Sequence, residues 1–224
     1  MTSKPGTVDS DSDNDFLQGF SAAESGPDDG RVSILPPQRP SVREDVELVF
    51  EASGTSVSLS LSVDAGPGCG GVAWPAGEVL SKYLTRRGPT CITGKACLEL
   101  GSGTGLVGII AAKLGAQCVF VTDQAPLLGL LEANVRKNGV AGRTKVLELN
   151  WGDALPALAP IDLILAADCV YFETAFPLLC KTLRELHDAH PSSEILFCYK
   201  KRRKASGRYG LAEIQLTHGL FVWV

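Results

Sequence analysis

Residues 98 to 108, LELGSGTGLVG, join a short apolar run to a glycine-rich turn and then to a second apolar run. A turn of this kind leaves backbone N–H groups bare and aims a helix N-terminus at a nucleotide-like ligand. The spacing fits two patterns. Gly103-Thr-Gly105-Leu-Val-Gly108 matches the dinucleotide form G-x-G-x-x-G, whereas Glu99-Leu-Gly101-Ser-Gly103-Thr-Gly105 matches the loop of S-adenosylmethionine enzymes. Further along, polar and aromatic residues recur where apolar runs end. Asp123 closes CVFVTD, where a carboxylate can accept hydrogen bonds from two ribose hydroxyls. The alternative for Asp123 is a helix N-cap. Trp151, in NWGD, can stack on an adenine or simply pack in the core. Asp168 and Tyr171 place an acid and a phenol where a cofactor's reactive end would meet a substrate, with an N-cap again the alternative for Asp168.

These residues need a scaffold that gathers strand ends, and the hydrophobic pattern supplies one. ELVFEAS and TSVSLSLSV flank Gly54 and alternate apolar with polar residues, as a hairpin does, with Val57, Leu59, Leu61 and Val63 on one face. Pro75 opens a helix carrying Val79, Leu80, Tyr83 and Leu84 at helical spacing, and Gly88 stops it. Strand and helix patterns then alternate: ACLEL, LVGIIAAKL, CVFVTD, APLLGLLEANVRKNG, KVLEL, IDLILAAD, AFPLLCKTLRELHDAH and EILFCYK. Near-continuous apolar strands between amphipathic helices indicate a parallel sheet covered on both faces. Ligands of such sheets lie at the carboxyl ends of the strands, near the switch in strand order.

The chain has 224 residues, 45% of them hydrophobic and 21% charged, with a net charge of −4. That is enough for one α/β domain with a real core and a tail. It holds no apolar run long enough for a membrane span, and the acidic start MTSKPGTVDSDSDNDF lacks the hydrophobic segment of a secretory signal. A cytoplasmic setting is therefore expected. Seven cysteines without a C-x-x-C pair argue against a disulfide framework or a zinc knuckle, and no metal is expected. Residues 1–41 read as a disordered acidic leader. A nicotinamide enzyme would need a second, substrate-binding region with a proton donor. His187, His190 and His218 all lie away from the strand ends.

GGVAWPAGEVLSKYL, LELGSGTGLVG, VTD, LNWGD, ADCVYFETAFPLLCKTL and YKKRRK together resemble the seven-β-strand protein-lysine methyltransferases of the methyltransferase-like 21 group. The likeness is nearest to the fungal branch that modifies translation elongation factor 1-alpha. It implies a Rossmann-like methyltransferase domain over residues 42–204 and S-adenosylmethionine as cofactor. It also implies a protein substrate, with elongation factor 1-alpha expected. In the same way it assigns cofactor contacts to Trp74, Gly101, Ser102, Gly103, Gly105, Asp123, Trp151 and Ala167. Asp168 and Tyr171 match the D-x-x-Y stretch that borders the lysine channel and are the expected catalytic pair. A monomer that neither binds nucleic acid nor touches a membrane is expected, since there is no broad basic stripe and no N-P-P-Y-type segment.

After the fifth of these sheet strands the pattern departs. The family's fold continues through a helix and two more strands, the last pair antiparallel, which takes roughly 30 or more residues. Residues 205–224 form an atypical tail without a family pattern, in which GLFVWV can make one strand. The expectation is a sheet truncated or altered after its fifth strand, with an open edge. A competing reading follows: a cofactor-binding but catalytically impaired interaction module. The basic run Lys200–Lys204 reads as a rim near the substrate side of the sheet, with a nuclear signal or a solvated loop as alternatives.

Overall fold

The computed structural model describes residues 43–52, 54–64, 66, 69–170, 173–200 and, as backbone, 219–223. The leader, Tyr171 and most of the basic run and tail lie outside these. An antiparallel hairpin comes first, β1 (Arg43–Ala52) and β2 (Thr55–Asp64), paired from Arg43 opposite Asp64 to Ala52 opposite Thr55. Helix α1 (Pro75–Arg87) follows, with Trp74 at its N-cap and Gly88 donating its N–H to the Leu84 and Thr85 carbonyls.

The alternation then runs β3 (Ala96–Leu100), α2 (Leu106–Lys113), β4 (Cys118–Asp123), α3 (Ala125–Lys137), β5 (Thr144–Glu148), β6 (Leu163–Ala167), α4 (Phe176–Ala189) and β7 (Glu194–Tyr199). These strands pair in parallel in the order β5-β4-β3-β6-β7. The chain leaves β3 toward β4 and β5 and returns to its other side at β6, so the switch in order falls between β3 and β6.

Period-two alternation fills both faces of this sheet. Cys97, Val119, Val121, Leu163, Leu165, Leu196 and Cys198 pack with the hairpin, α1 and α2. Leu98, Leu100, Phe120, Ile164, Ile195 and Phe197 turn the other way onto Phe176, Leu179, Leu183 and Leu186 of α4. Buried on both sides, the strands cannot slip register without exposing a whole face. Cys97, Cys169 and Cys198 are buried and unpaired, so they serve as small apolar residues. Among the described residues no helix is long and apolar enough to cross a membrane.

The apolar run of the tail forms the strand its sequence allows, β8 (Gly219–Trp223), parallel to β7, with Ile195 opposite Gly219 and Tyr199 opposite Trp223; the open edge expected beyond the fifth strand is what the structure corrects. Among the described residues the sheet therefore has six strands, all parallel. The β7 edge is covered because the run gives its backbone groups the partners an open edge lacks.

Candidate active site

The carboxyl ends of β3, β4 and β6 open into a cleft of about 910 Å³, contiguous with solvent. Its floor is the turn after β3, where Gly101 and Gly103 have φ of 58° and 55°. Side chains are excluded there for two reasons. L residues rarely adopt such angles. In addition, a Cβ at Gly103 would lie 2.3 Å from the Gly70 carbonyl, and one at Gly101 2.9 Å from the Trp151 ring. The turn is held from below: Ser102 N–H donates to Thr122 O at 2.9 Å, and Thr122 N–H returns a bond to Ser102 Oγ at 2.9 Å.

Asp123 closes β4 and is buried. Its Oδ2 accepts from Gly103 N–H at 2.7 Å and its Oδ1 from Gln124 N–H at 2.8 Å. The N-cap of α3 is Gln124, so Asp123 is not the helix cap. Burial pushes its carboxyl up to about 6, against the lowering effect of the two N–H donors. Asp168 is buried just beyond β6 at φ 56°, the one non-glycine residue with positive φ among the described residues. Its N–H donates to Cys198 O at 2.8 Å, and Lys200 N–H approaches its Oδ1 at 3.4 Å. Helix α4 starts at Phe176 with Ala175 as its N-cap, so Asp168 is not a cap either.

Trp74, half-buried, and Ala167 also line the cleft, as do Ser102 and Trp151. Gly105, at φ 80°, is the N-cap of α2 beneath the turn and does not itself line the cleft. The Trp151 loop is anchored from α4: Gly152 N–H donates to the fully buried Thr182 Oγ1 at 2.8 Å, and Lys181 Nζ to Gly152 O at 2.5 Å. Of the basic run, Lys200 is described, and its bond to Asp168 sets it at the cleft end of the sheet.

Cys169, in an apolar setting where the sequence suggests a small core residue, is buried as such: its Sγ–H donates to Leu100 O at 3.3 Å, and burial pushes this thiol well up, which makes it packing rather than a nucleophile. Sequence reasoning overlooked Gly70, whose carbonyl crosses the glycine turn. The GCGG run was the available signal.

Glu99, on the α2 side of β3, accepts from Gly108 N–H at 2.9 Å, and burial pushes it up from 4.5 to about 8. A carboxyl raised by folding weakens the fold as it ionises, a loss that accumulates between those two values and is constant above them. Glu99→Gln keeps an acceptor for Gly108 without the charge. Its melting temperature is expected to gain on the parent's as pH rises from about 5 to about 8, with no further gain above. Thermal melts across that range check this; a pH-independent difference would contradict it.

The charge pattern discriminates between the two cofactor classes. Asp123 and Asp168 line the cleft beside Glu99, which its burial keeps largely uncharged at neutral pH, and no lysine, arginine or histidine among the described residues does. Such walls oppose a pyrophosphate and suit a cation. A sulfonium donor fits the acids, and the close-packed glycine turn fits a nucleoside laid on bare backbone.

The sequence profile of a family described as lysine methyltransferase matches residues 54–215. The chain belongs to the lysine methyltransferase family. It is 39% identical over 178 residues to protein-lysine N-methyltransferase EFM6 of Saccharomyces cerevisiae, covering 68% of this chain and 72% of that relative. To EEF1A lysine methyltransferase 3 of Mus musculus it is 37% identical over 139 residues, covering 61% of this chain and 59% of the relative. The fold alone is shared with the 16S rRNA methyltransferase RsmC of T. thermophilus, solved with S-adenosylmethionine and guanosine. There the TM-score is 0.51 at 19% identity, over 64% of this chain and 38% of the other. By its family and its curated relatives, the chain is an S-adenosylmethionine-dependent protein-lysine methyltransferase.

Proposed function

We propose that this lysine methyltransferase modifies a lysine of translation elongation factor 1-alpha, acting as a cytoplasmic monomer. The substrate assignment is supported by the name of the Mus musculus relative and by the motifs shared with the fungal branch. The observation that carries the chemistry is the convergence of Asp123, the glycine turn and Asp168 on one acid-lined cleft at the strand ends.

In this reading the backbone of Gly101, Ser102 and Gly103, supported by Gly105, carries the cofactor's ribose and methionine parts. The Asp123 carboxylate accepts the ribose hydroxyls. Trp151 flanks the adenine, Trp74 closes the near wall, and Ala167 contributes backbone. When bound, S-adenosylmethionine supplies a methyl group already activated by its sulfonium. What remains for the chain is alignment and water exclusion.

A substrate lysine arrives as an ammonium with a pKa near about 10.4. The Asp168 carboxylate draws it in and orients its nitrogen. Burial in the narrow channel disfavours the charged form, so the proton leaves to solvent without a dedicated base. Tyr171, which lies outside the described residues, takes its place beside Asp168 from the D-x-x-Y match alone.

The test is transfer of tritiated methyl from S-adenosylmethionine to purified elongation factor 1-alpha and, in parallel, to a whole lysate, with the modified residue located by mass spectrometry. Label on a lysine of that factor is expected. Label only on other lysate proteins would refute the substrate, and cofactor binding without any transfer would favour the impaired-module reading.

A further inference from the structure

Helix α3 carries Asn134 and is capped one turn later by Asn138, and both amides turn onto strand β2 of the hairpin. Asn138 Oδ1 accepts from Ser60 N–H at 3.0 Å while its Nδ2 donates to Ser60 O at 2.7 Å. Asn134 repeats this on Ser62: its Oδ1 accepts from the N–H at 2.8 Å, and its Nδ2 donates to the carbonyl at 3.0 Å. The match is geometric. Four residues of helix rise about 6 Å, and two residues of strand about 6.8 Å, so the two amides meet alternate residues of one strand edge. In a two-stranded ribbon those alternate residues point their N–H and C=O groups away from the partner strand and need such partners.

The two amides then differ. Asn134 is fully buried, and its Nδ2 also donates to Thr104 O at 2.9 Å. Asn138 spends its remaining donor on its own helix, at the Asn134 carbonyl, 2.9 Å away. Thr104 sits in the cofactor turn between Gly103 and Gly105, both at positive φ. On the sheet side the turn is fixed by Asp123 through Gly103 N–H and by Ser102 O through Gly105 N–H.

We propose that Asn134 is a positioning residue for cofactor binding: its amide ties the N-terminal hairpin to the glycine turn and holds the Thr104 peptide in the orientation that keeps the cradle open. The hairpin is then a brace for the cofactor site as well as a cover for the core. The proposal rests on S-adenosylmethionine occupying this cleft.

Asn134→Asp keeps the side-chain shape and the acceptor for Ser62 N–H but sets a second oxygen against the Thr104 carbonyl. Asn138→Asp makes the corresponding change at Ser60 without reaching the turn. Both are expected to lower the melting temperature. Asn134→Asp is expected to raise the Kd and KM for S-adenosylmethionine roughly tenfold, the effect of one lost buried hydrogen bond. Its kcat at saturating cofactor is expected to stay within a fewfold, and Asn138→Asp to leave the cofactor Kd unchanged. Equal loss of stability with equal cofactor affinity in the two variants would reduce Asn134 to a staple and overturn the proposal.

Coupling is reciprocal, so the parent protein provides a second measurement that does not depend on any variant folding. S-adenosylmethionine should slow hydrogen exchange at the Ser62 amide as well as in the glycine turn. Protection of the turn with Ser62 unchanged would also overturn the proposal. No protection of the turn would instead count against the cofactor's occupying this cleft.

Discussion

Replacing Asp123 with alanine is expected to raise the Kd for S-adenosylmethionine on the order of a hundredfold. Two charge-assisted hydrogen bonds to the ribose would be lost, at about 1.5 kcal/mol or more each. The position makes the substitution severe: the carboxylate is buried and also holds Gly103 N–H at 2.7 Å, so alanine unties the turn it faces. Asp123→Asn retains an acceptor for Gly103 and should fall between the two.

The pH dependence has a definite sign. In the proposed binding mode ribose hydroxyls would donate to the ionised carboxylate, and burial has pushed its titration up to about 6. Affinity should therefore be constant above that value and fall by up to about tenfold per pH unit below it. The Asn variant should lack that acid limb. Calorimetric titrations of parent and variants from about pH 5 to 8 read both effects, and an acid limb unchanged in Asp123→Asn would place its origin elsewhere.

Asp168→Gly should lower kcat by roughly a hundredfold or more, the scale set by misplacing a reacting group. The Kd for S-adenosylmethionine should stay within a fewfold. Asp168 keeps a left-handed backbone at φ 56°, held by Cys198 on one side and Lys200 on the other. A non-glycine residue in that region costs on the order of 1 kcal/mol or more. Glycine removes the cost, so this variant should melt no lower than the parent while losing turnover. That opposition marks a residue retained for chemistry rather than folding. Asp168→Asn, which tolerates the same backbone and lacks the charge, should lose turnover at unchanged stability. Wild-type kcat in both variants would remove Asp168 from the reaction.

Much of this frame could be read from residue patterns. The sheet strands are near-continuous apolar runs closed by Asp123 or Asp168, and the helices end at Gly88, Gly115 or Asn138-Gly139. These are local signals, and the structure follows them closely. What the patterns concealed is long-range or conformational. Asn134 sits in a helix where asparagine carries no strong preference, and its partners lie 72 and 30 residues away. Thr182 interrupts an apolar stripe because its hydroxyl meets Gly152 N–H thirty residues distant. The left-handed turn at Asp168 is imposed by neighbouring strand ends, not by its own residue type. The direction of β8 could not be read locally either, since an apolar pentapeptide can pair in parallel or antiparallel fashion.

An acid-lined cleft over the glycine turn is expected to hold a cationic nucleoside donor and to refuse a dinucleotide. Isothermal titration of the folded protein with S-adenosylmethionine and, separately, with NAD distinguishes the two. One saturable site for S-adenosylmethionine and no heat with NAD is the predicted result. Silence with the sulfonium donor, or saturable binding of the dinucleotide, would contradict it.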